Sequence, residues 1–322
     1  MNKVAVIDIG TYSTRMLIAS YQLKETLEES IKTIKDILSL GKITSLGKKV
    51  QETGYIQQES MLETLTVLKE YVMMAKEYKV ENIIASATQA CRIAKNASEF
   101  LLKVKSLGID VSVISGEEEA KLSFLATAYG VMPESSFVVI DQGGGSTEFA
   151  YGKKEDEKYK LIKAISFPFG IVNLTEKYIK SDPPKEEEIN QMRKYLKEQI
   201  KIAYQDMKDT KEIIGLGGTI TTVMALEKHI YPYDSSKIHN QILTFEAIDR
   251  WLNKLSKMTI QERKAIPMIE DKRAEAIISG IVIFHTAMQI FNADKIKISE
   301  YGLRHGRLIK YIADKLNLDL GV

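Results

Sequence analysis

The chain has 322 residues, long enough for two α/β domains that each bury a core of their own. Its 44% hydrophobic and 27% charged content excludes a disordered or fibrous chain, and 45 basic against 43 acidic residues exclude a global basic field for non-specific nucleic-acid binding. A single cysteine, Cys91, excludes an internal disulfide.

The N-terminus, MNKVAVIDIG, does not resemble a charged leader, and the longest apolar run, IISGIVIF at 277–284, is short of the ~20 residues of a bilayer span. The expectation is a cytoplasmic protein with no membrane and no nucleic acid among its partners, and with any anion held by a local basic site. The chain reads as α/β.

In chain order, KVAVIDIG, TYST and RMLIASY form a strand, a small-residue turn and a strand, with Asp8 closing the first strand and Gly10, Thr11 and Ser13 in the turn. Apolar periodicity predicts helices at about 58–78, 96–106 and 117–129. Residues 137–151, FVVIDQGGGSTEFAY, then repeat the opening with an offset of 133: Asp8 falls on Asp141, Gly10 on Gly143, Ser13 on Ser146 and Thr14 on Thr147. A shared D-x-G-x-x-S-T at two strand-turn junctions implies a duplicated half, and each copy puts a carboxylate beside a turn whose small residues suit phosphate oxygens.

Further on, Asp182 and Pro183 read as the N-cap and first residue of a helix at 184–207, whose run KEEEINQMRKYLKEQIK reads as a solvated face. The segment EIIGLGGTITTVMAL (212–226) predicts a strand, a turn at Gly215, Gly217 and Gly218, and a helix at 219–228 whose N-terminus points at an anion. Helices at 245–256 and 271–291, a strand at 295–299 and a closing helix after Gly302 complete the chain. The four histidines (229, 239, 285, 305) lack metal-ligand spacing, so any metal is expected on oxygen ligands.

In AVIDIGTYSTRMLI, SATQACRIAKNASEFL, IDVSVISGEEEAKLSFLA, VVIDQGGGSTEFAYG, IIGLGGTITTV, ERKAIPMIEDKRAEAIISG and ISEYGLRHGRL, the chain resembles the exopolyphosphatase and guanosine pentaphosphate phosphohydrolase family of the actin, sugar-kinase and Hsp70 superfamily. The resemblance covers nearly the whole chain, and its most specific part is SGEEEAKL followed by DQGGGST. It implies two actin-like domains with a ligand cleft between them: an N-terminal one over 1–125, joined by the tail from about 300–322, and a second over 126–299. Tyr12 and Gln142 stand where relatives more often have Asn and Ile, and longer relatives continue into further helical domains.

The same resemblance implies hydrolysis of a terminal phosphoanhydride in polyphosphate, or in guanosine pentaphosphate to give the tetraphosphate. Glu119 is then the general base, and Gly10, Thr11, Ser13, Arg92, Gly143, Gly144, Gly145, Ser146, Gly217, Gly218 and Thr219 contact phosphate. Asp141, Glu148 and Asp8 hold Mg²⁺ or another hard divalent cation. From local sequence alone, Ser115 and Glu118 form a capping box and acidic residues at 117–119 suit a helix start, so those residues also have a structural reading. Arg15, Arg273 and Arg304 stay unassigned, and monomer and homodimer both stay open. The competing readings are an ATP-dependent small-molecule kinase of the same superfamily and a nucleotide-gated actin-like scaffold.

Overall fold

The structure is a computed structural model that describes residues 1–156 and 158–320. The chain divides into two compact units, Met1–Tyr129 with the tail from Leu303, and Gly130–Gly302.

The first unit runs β1 (Asn2–Ile9), β2 (Ser13–Tyr21), α1 (Leu27–Ile31), β3 (Lys35–Ile43), α2 (Val50–Thr53), α3 (Gln58–Glu77), β4 (Asn82–Ala87), α4 (Gln89–Ile93), α5 (Ala97–Ser106), β5 (Asp110–Val113) and α6 (Gly116–Val131). Its sheet has the order β3-β2-β1-β4-β5, antiparallel among the first three strands and parallel from β1 through β4 to β5. Strand β1 is apolar at successive positions because both of its faces are covered. Ala5, Ile7 and Ile9 pack with Leu65, Leu68 and Phe100 of α3 and α5, while Val4 and Val6 pack with residues near the C-terminus.

The second unit runs β6 (Phe137–Gln142), β7 (Thr147–Glu155), β8 (Lys158–Phe167), α7 (Ile171–Tyr178), α8 (Glu186–Met207), β9 (Glu212–Leu216), α9 (Gly218–Lys228), α10 (Ser235–Ile238), β10 (Ile242–Thr244), α11 (Phe245–Leu255), α12 (Ile260–Lys264), α13 (Arg273–Phe291) and β11 (Lys295–Ile298). Helix α14 (Leu303–Lys315) follows and belongs to the first unit, where Leu308, Ile309 and Ile312 cover the Val4 and Val6 face of β1. Gly306 makes that seat possible, since a Cβ there would lie 2.1 Å from the Leu122 carbonyl oxygen of α6.

Read from its far edge, the second sheet is β8-β7-β6-β9-β11-β10, the first sheet's order with one antiparallel strand added. The duplication seen in the two Asp-led turns therefore extends to the whole strand pattern. Helix α13 is buried from Ala276 to Met288 and forms the centre of this unit, which is why that stretch is almost wholly apolar. By length and composition it could cross a bilayer, but 78% of its most apolar window is buried inside the fold.

The seven helices expected from periodicity stand within two residues of their expected bounds. One cap is corrected: α8 starts at Glu186, and its N-cap is Lys185, whose N–H donates to Glu188 Oε2 at 2.9 Å. Asp182 instead accepts the N–H of Ile260, the first residue of α12, at 2.8 Å. Glu188 also accepts from Ser181 at 2.7 Å, so the segment before the helix is folded back onto this carboxylate and Asp182 is free to serve another helix start.

Candidate active site

In the first unit, the candidate residues gather where β1, β4 and β5 end in parallel, with Asp8 beside Ser86 and Ser86 beside Ser112. The carboxyl edge of parallel strands is where α/β sheets form ligand sites, because the strand-to-helix connections open there. Asp8 faces Arg15 across the β1/β2 ladder. In the turn that follows, Gly10 N–H donates to the Ser13 carbonyl at 3.0 Å, and a Cβ on Gly10 would stand 2.8 Å from that oxygen. Thr11 is buried, and its hydroxyl accepts the Ala90 N–H at 3.1 Å, tying the turn to the start of α4.

Helices α4 and α6 bring Arg92 and Glu119 together. Arg92 Nη1 donates to Glu119 Oε2 at 2.9 Å and to the Ile114 carbonyl at 3.0 Å. Glu119 is 7% exposed, whereas Glu117 is exposed and pairs with Lys121. The Ser115 hydroxyl accepts the Glu118 N–H at 3.0 Å, so it caps α6. Three successive glutamates thus have different surroundings, and only the third is buried against a guanidinium. Next to Arg92, the Cys91 thiol is pushed up to about 12 by burial, which excludes it as a thiolate nucleophile near neutral pH.

The second unit repeats the turn with the same geometry: Gly143 N–H donates to the Ser146 carbonyl at 3.0 Å, and a Cβ on Gly143 would lie 2.9 Å from it. Its carbonyls are held from outside by α7. Val172 N–H donates to Gly144 O at 2.8 Å, Ile171 N–H to Gly143 O at 3.2 Å and the Asn173 amide to Gly145 O at 2.8 Å. Gly170 passes so close that a Cβ would meet the Gly144 carbonyl carbon at 2.5 Å. Asp141 and Glu148 are partners across the β6/β7 ladder, and Glu148, 1% exposed, accepts the Ser166 hydroxyl at 2.7 Å.

The turn at 217–219 lies beside this one because β9 pairs in parallel with β6, Leu216 opposite Asp141. Gly217 has φ +109°, and a Cβ there would stand 2.5 Å from the Gln142 carbonyl oxygen. Thr219 is buried and Gln142 points inward, since a Cβ on Gly280 of α13 would meet Thr219 Oγ1 at 2.2 Å and Gln142 Nε2 at 2.6 Å. The residue that departs from the family pattern at 142 thus lies in the packing beneath the turns.

Arg273, which the sequence left unassigned, lies directly over this turn: a Cβ on Gly218 would fall 2.2 Å from its Nη1. The arginine is 7% exposed and donates to Glu270 Oε2 at 2.7 Å. The signal available in sequence was its position in the first turn of a long apolar helix expected at 271–291, which says nothing of the strand-helix turn it meets. Arg304 donates to the Met16 carbonyl and the Ser39 hydroxyl, each at 3.0 Å, tying α14 to β2 and β3. Arg15 lies along β3, with its Cγ 3.3 Å from where a Gly41 Cβ would be. Among the described residues, no group of three or more His, Cys, Asp and Glu is gathered as a metal cluster. The Asp141 and Glu148 pair nonetheless offers the one or two carboxylates that suit a hydrated Mg²⁺ completed by substrate oxygens.

Two units with one strand pattern, each with a glycine turn after an aspartate at the end of its first strand, define an α/β protein of the actin-like class. The sequence model described as the Ppx/GppA phosphatase family matches residues 24–314. The chain belongs to the Ppx/GppA phosphatase family. It is similar to the Aquifex aeolicus member in crystal structure, with TM-score 0.79, 43% identity and 98% of each chain covered. It also matches an exopolyphosphatase from Cytophaga hutchinsonii with TM-score 0.87 and 26% identity over 100% of both chains.

Among curated relatives, exopolyphosphatase 2 of Mycobacterium tuberculosis is 30% identical across 95% of this chain and 97% of its own length. A bifunctional 3-dehydroquinate synthase/phosphatase of Fusobacterium nucleatum is 32% identical across 97% of this chain, which spans only 47% of that longer protein.

Proposed function

We propose that this phosphatase hydrolyses the terminal phosphoanhydride of a phosphate chain, releasing orthophosphate from inorganic polyphosphate, from guanosine pentaphosphate to leave the tetraphosphate, or from both. The observation that carries the reading is Glu119, a carboxylate buried to 7% exposure and held by Arg92 at 2.9 Å at the carboxyl edge of the first sheet. Exopolyphosphatase 2 of Mycobacterium tuberculosis, aligned over 95% of this chain, supports polyphosphate as a substrate.

Such a reaction needs an oriented water and neutralisation of charge on the phosphate oxygens, with little covalent chemistry from the protein. Glu119 takes a proton from the water as its oxygen bonds to the terminal phosphorus. The bond from that phosphorus to the bridging oxygen breaks, and the shortened chain leaves with the electron pair. Arg92 orients the carboxylate and contacts phosphate. The turns with Gly10, Thr11 and Ser13, with Gly143, Gly144, Gly145 and Ser146, and with Gly217, Gly218 and Thr219 hold phosphate oxygens, and Arg273 forks onto the oxygens at the last of these. Asp141, Glu148 and Asp8 are the oxygen donors for Mg²⁺ or another hard divalent cation, which when bound neutralises negative charge on the phosphates. We place the reaction in the cytoplasm, in keeping with a lone, buried Cys91.

The test is phosphate release from polyphosphate and from guanosine pentaphosphate side by side, with and without Mg²⁺. Mg²⁺-dependent release from at least one, abolished by Glu119→Gln, is the expected result. Release from neither, or formation of ADP from ATP with a small-molecule acceptor in its place, overturns the reading.

A further inference from the structure

A second cationic site lies in the Gly130–Gly302 unit, away from the glycine turns. Helix α8 turns Ile189, Met192, Leu196 and Ile200 to the core. At 100° per residue, Arg193, Lys194, Lys197 and Lys201 fall on one flank of that apolar stripe. They form a wall of a groove of about 770 Å³ whose other walls are α11 and α13. The charged run of α8 is a solvated face, as expected, and part of it also lines this groove.

None of Lys194, Lys197 and Lys201 has a hydrogen-bond or ion-pair partner among the described residues, although Glu198 and Asp249 also line the groove. Arg193 donates from Nη1 to Asn190 at 3.2 Å, while its buried Nε has no partner. At the base lies His285 of α13, its side chain 4% exposed, with Nε2 3.0 Å from Asp249 Oδ1 and with a buried Nδ1 that has no partner. Like charges are set in a row beside the Arg193 Nε–H, a buried donor that nothing in the fold satisfies, which is the pattern of a site completed by an anion.

We propose that this groove is an accessory binding site for an oligophosphate chain. The lysines from 194 to 201 extend about 10 Å along the helix axis, a row that a string of phosphates engages together and a single orthophosphate cannot. The site is separate from the turn under Arg273: His285 lies twelve residues further along α13, about 18 Å at the helical rise. Its role rests on the reading of the protein as a phosphate-chain hydrolase, in which it retains a chain that the catalytic residues shorten. The shared chemistry is the linear phosphate chain, whether inorganic or carried on a nucleotide.

The experiment uses the full chain in a Glu119→Gln background, so that ligands are not consumed, and compares it with the same protein carrying Lys194→Gln, Lys197→Gln and Lys201→Gln. Calorimetry is run with inorganic polyphosphate, guanosine pentaphosphate and orthophosphate, and the His285 ring resonances are followed by NMR. With polyphosphate or the nucleotide, the expected result is a class of binding weakened at least about tenfold by the lysine changes, together with movement of the His285 resonances on titration. Polyphosphate alone producing this effect identifies an inorganic chain, and the nucleotide alone identifies a nucleotide site.

Identical isotherms with and without the lysines, or His285 resonances that stay still at saturation, overturn the proposal, and so does an equal effect on orthophosphate. With Glu119 intact, the triple lysine variant keeps its turnover of tripolyphosphate. Normal turnover by Glu119→Gln would instead sink the catalytic reading and leave the groove's binding open to measurement.

Discussion

Arg92 Nη1 lies 2.9 Å from Glu119 Oε2, and the same nitrogen lies 3.0 Å from the Ile114 carbonyl that opens the connection after β5. One guanidinium therefore joins the β4–α4 corner to the start of α6 and fixes the direction of the buried carboxylate. Glu119→Gln keeps an oxygen acceptor for Arg92 but removes its counter-charge, so the protein should still fold with a lowered Tm. Turnover is expected to fall by about 10²–10⁴-fold, the usual worth of a general base, with little change in KM. Steady-state kinetics beside a thermal melt check both halves of this statement. A variant with near-normal kcat would remove Glu119 from the chemistry.

Gly217 and Gly218 are adjacent but constrained by different things, so their alanine variants should part company. At Gly217 the backbone has φ +109° and an added Cβ would strike the Gln142 carbonyl at 2.5 Å, neither of which can yield. Gly217→Ala should cost about 2–4 kcal/mol of stability. At Gly218 the obstacle is the far end of Arg273, 2.2 Å away, and a side chain can swing aside. Gly218→Ala should therefore melt near the wild-type temperature while raising KM severalfold through a displaced arginine. Equal stability losses in the two variants would contradict this division.

Much of the fold was legible because local and global signals agreed. The helices at 58–77 and 245–255 repeat apolar residues at helical spacing, and the match of Asp8 to Asp141 anticipated two turns with the same Gly-to-Ser hydrogen bond. What escaped was decided by contacts between distant segments. Asp182 before two prolines carries the local signature of an N-cap, but Glu188 takes over the start of α8 and Asp182 serves Ile260, 78 residues away. Arg273 over Gly218 and Gly170 against Gly144 are close approaches between segments far apart in the chain that no spacing rule encodes. The lysines of α8 look like any solvated helix face until α11 and α13 close a groove beside them.

Cys91 offers a test of burial at the heart of the first unit. It is 5% exposed, and its thiol is pushed up to about 12 by burial, which outweighs the opposing effect of Arg92. Labelling by a thiol reagent at neutral pH should be negligible in the native protein and complete after denaturation. Fast labelling of the folded chain would show that α4 opens readily and would undercut a rigid Arg92.

Gln142 carries a buried Nε2 with no partner, packed where Thr219 Oγ1 is also unpartnered and Gly280 passes underneath. A buried amide nitrogen without a hydrogen bond costs its desolvation with no compensation, and an apolar residue of similar size removes that loss. Gln142→Ile, which places a β-branched residue in the β6 strand, should stabilise the fold by about 1 kcal/mol and raise Tm by a few degrees. A lower Tm would mean that the amide is satisfied in solution by water or ligand.

The buried His285 makes the stability of this unit depend on pH. Burial, and after it the Arg193 guanidinium, hold its imidazole below the ordinary value of 6.5, with Asp249 opposing them less strongly. Between the lowered native value and 6.5, the unfolded chain binds a proton that the native protein refuses. Stability is therefore complete above about pH 7 and is lost as pH falls through this window. Melting curves from about pH 7.5 to about pH 5.5 should fall more steeply for the wild type than for His285→Gln, which cannot take up the proton. An anion bound against the ring would favour the imidazolium, so adding polyphosphate should flatten the wild-type curve and leave the variant's slope unchanged. Parallel curves for the two proteins, without any ligand, would show that the imidazole titrates freely and is not buried as the structure places it.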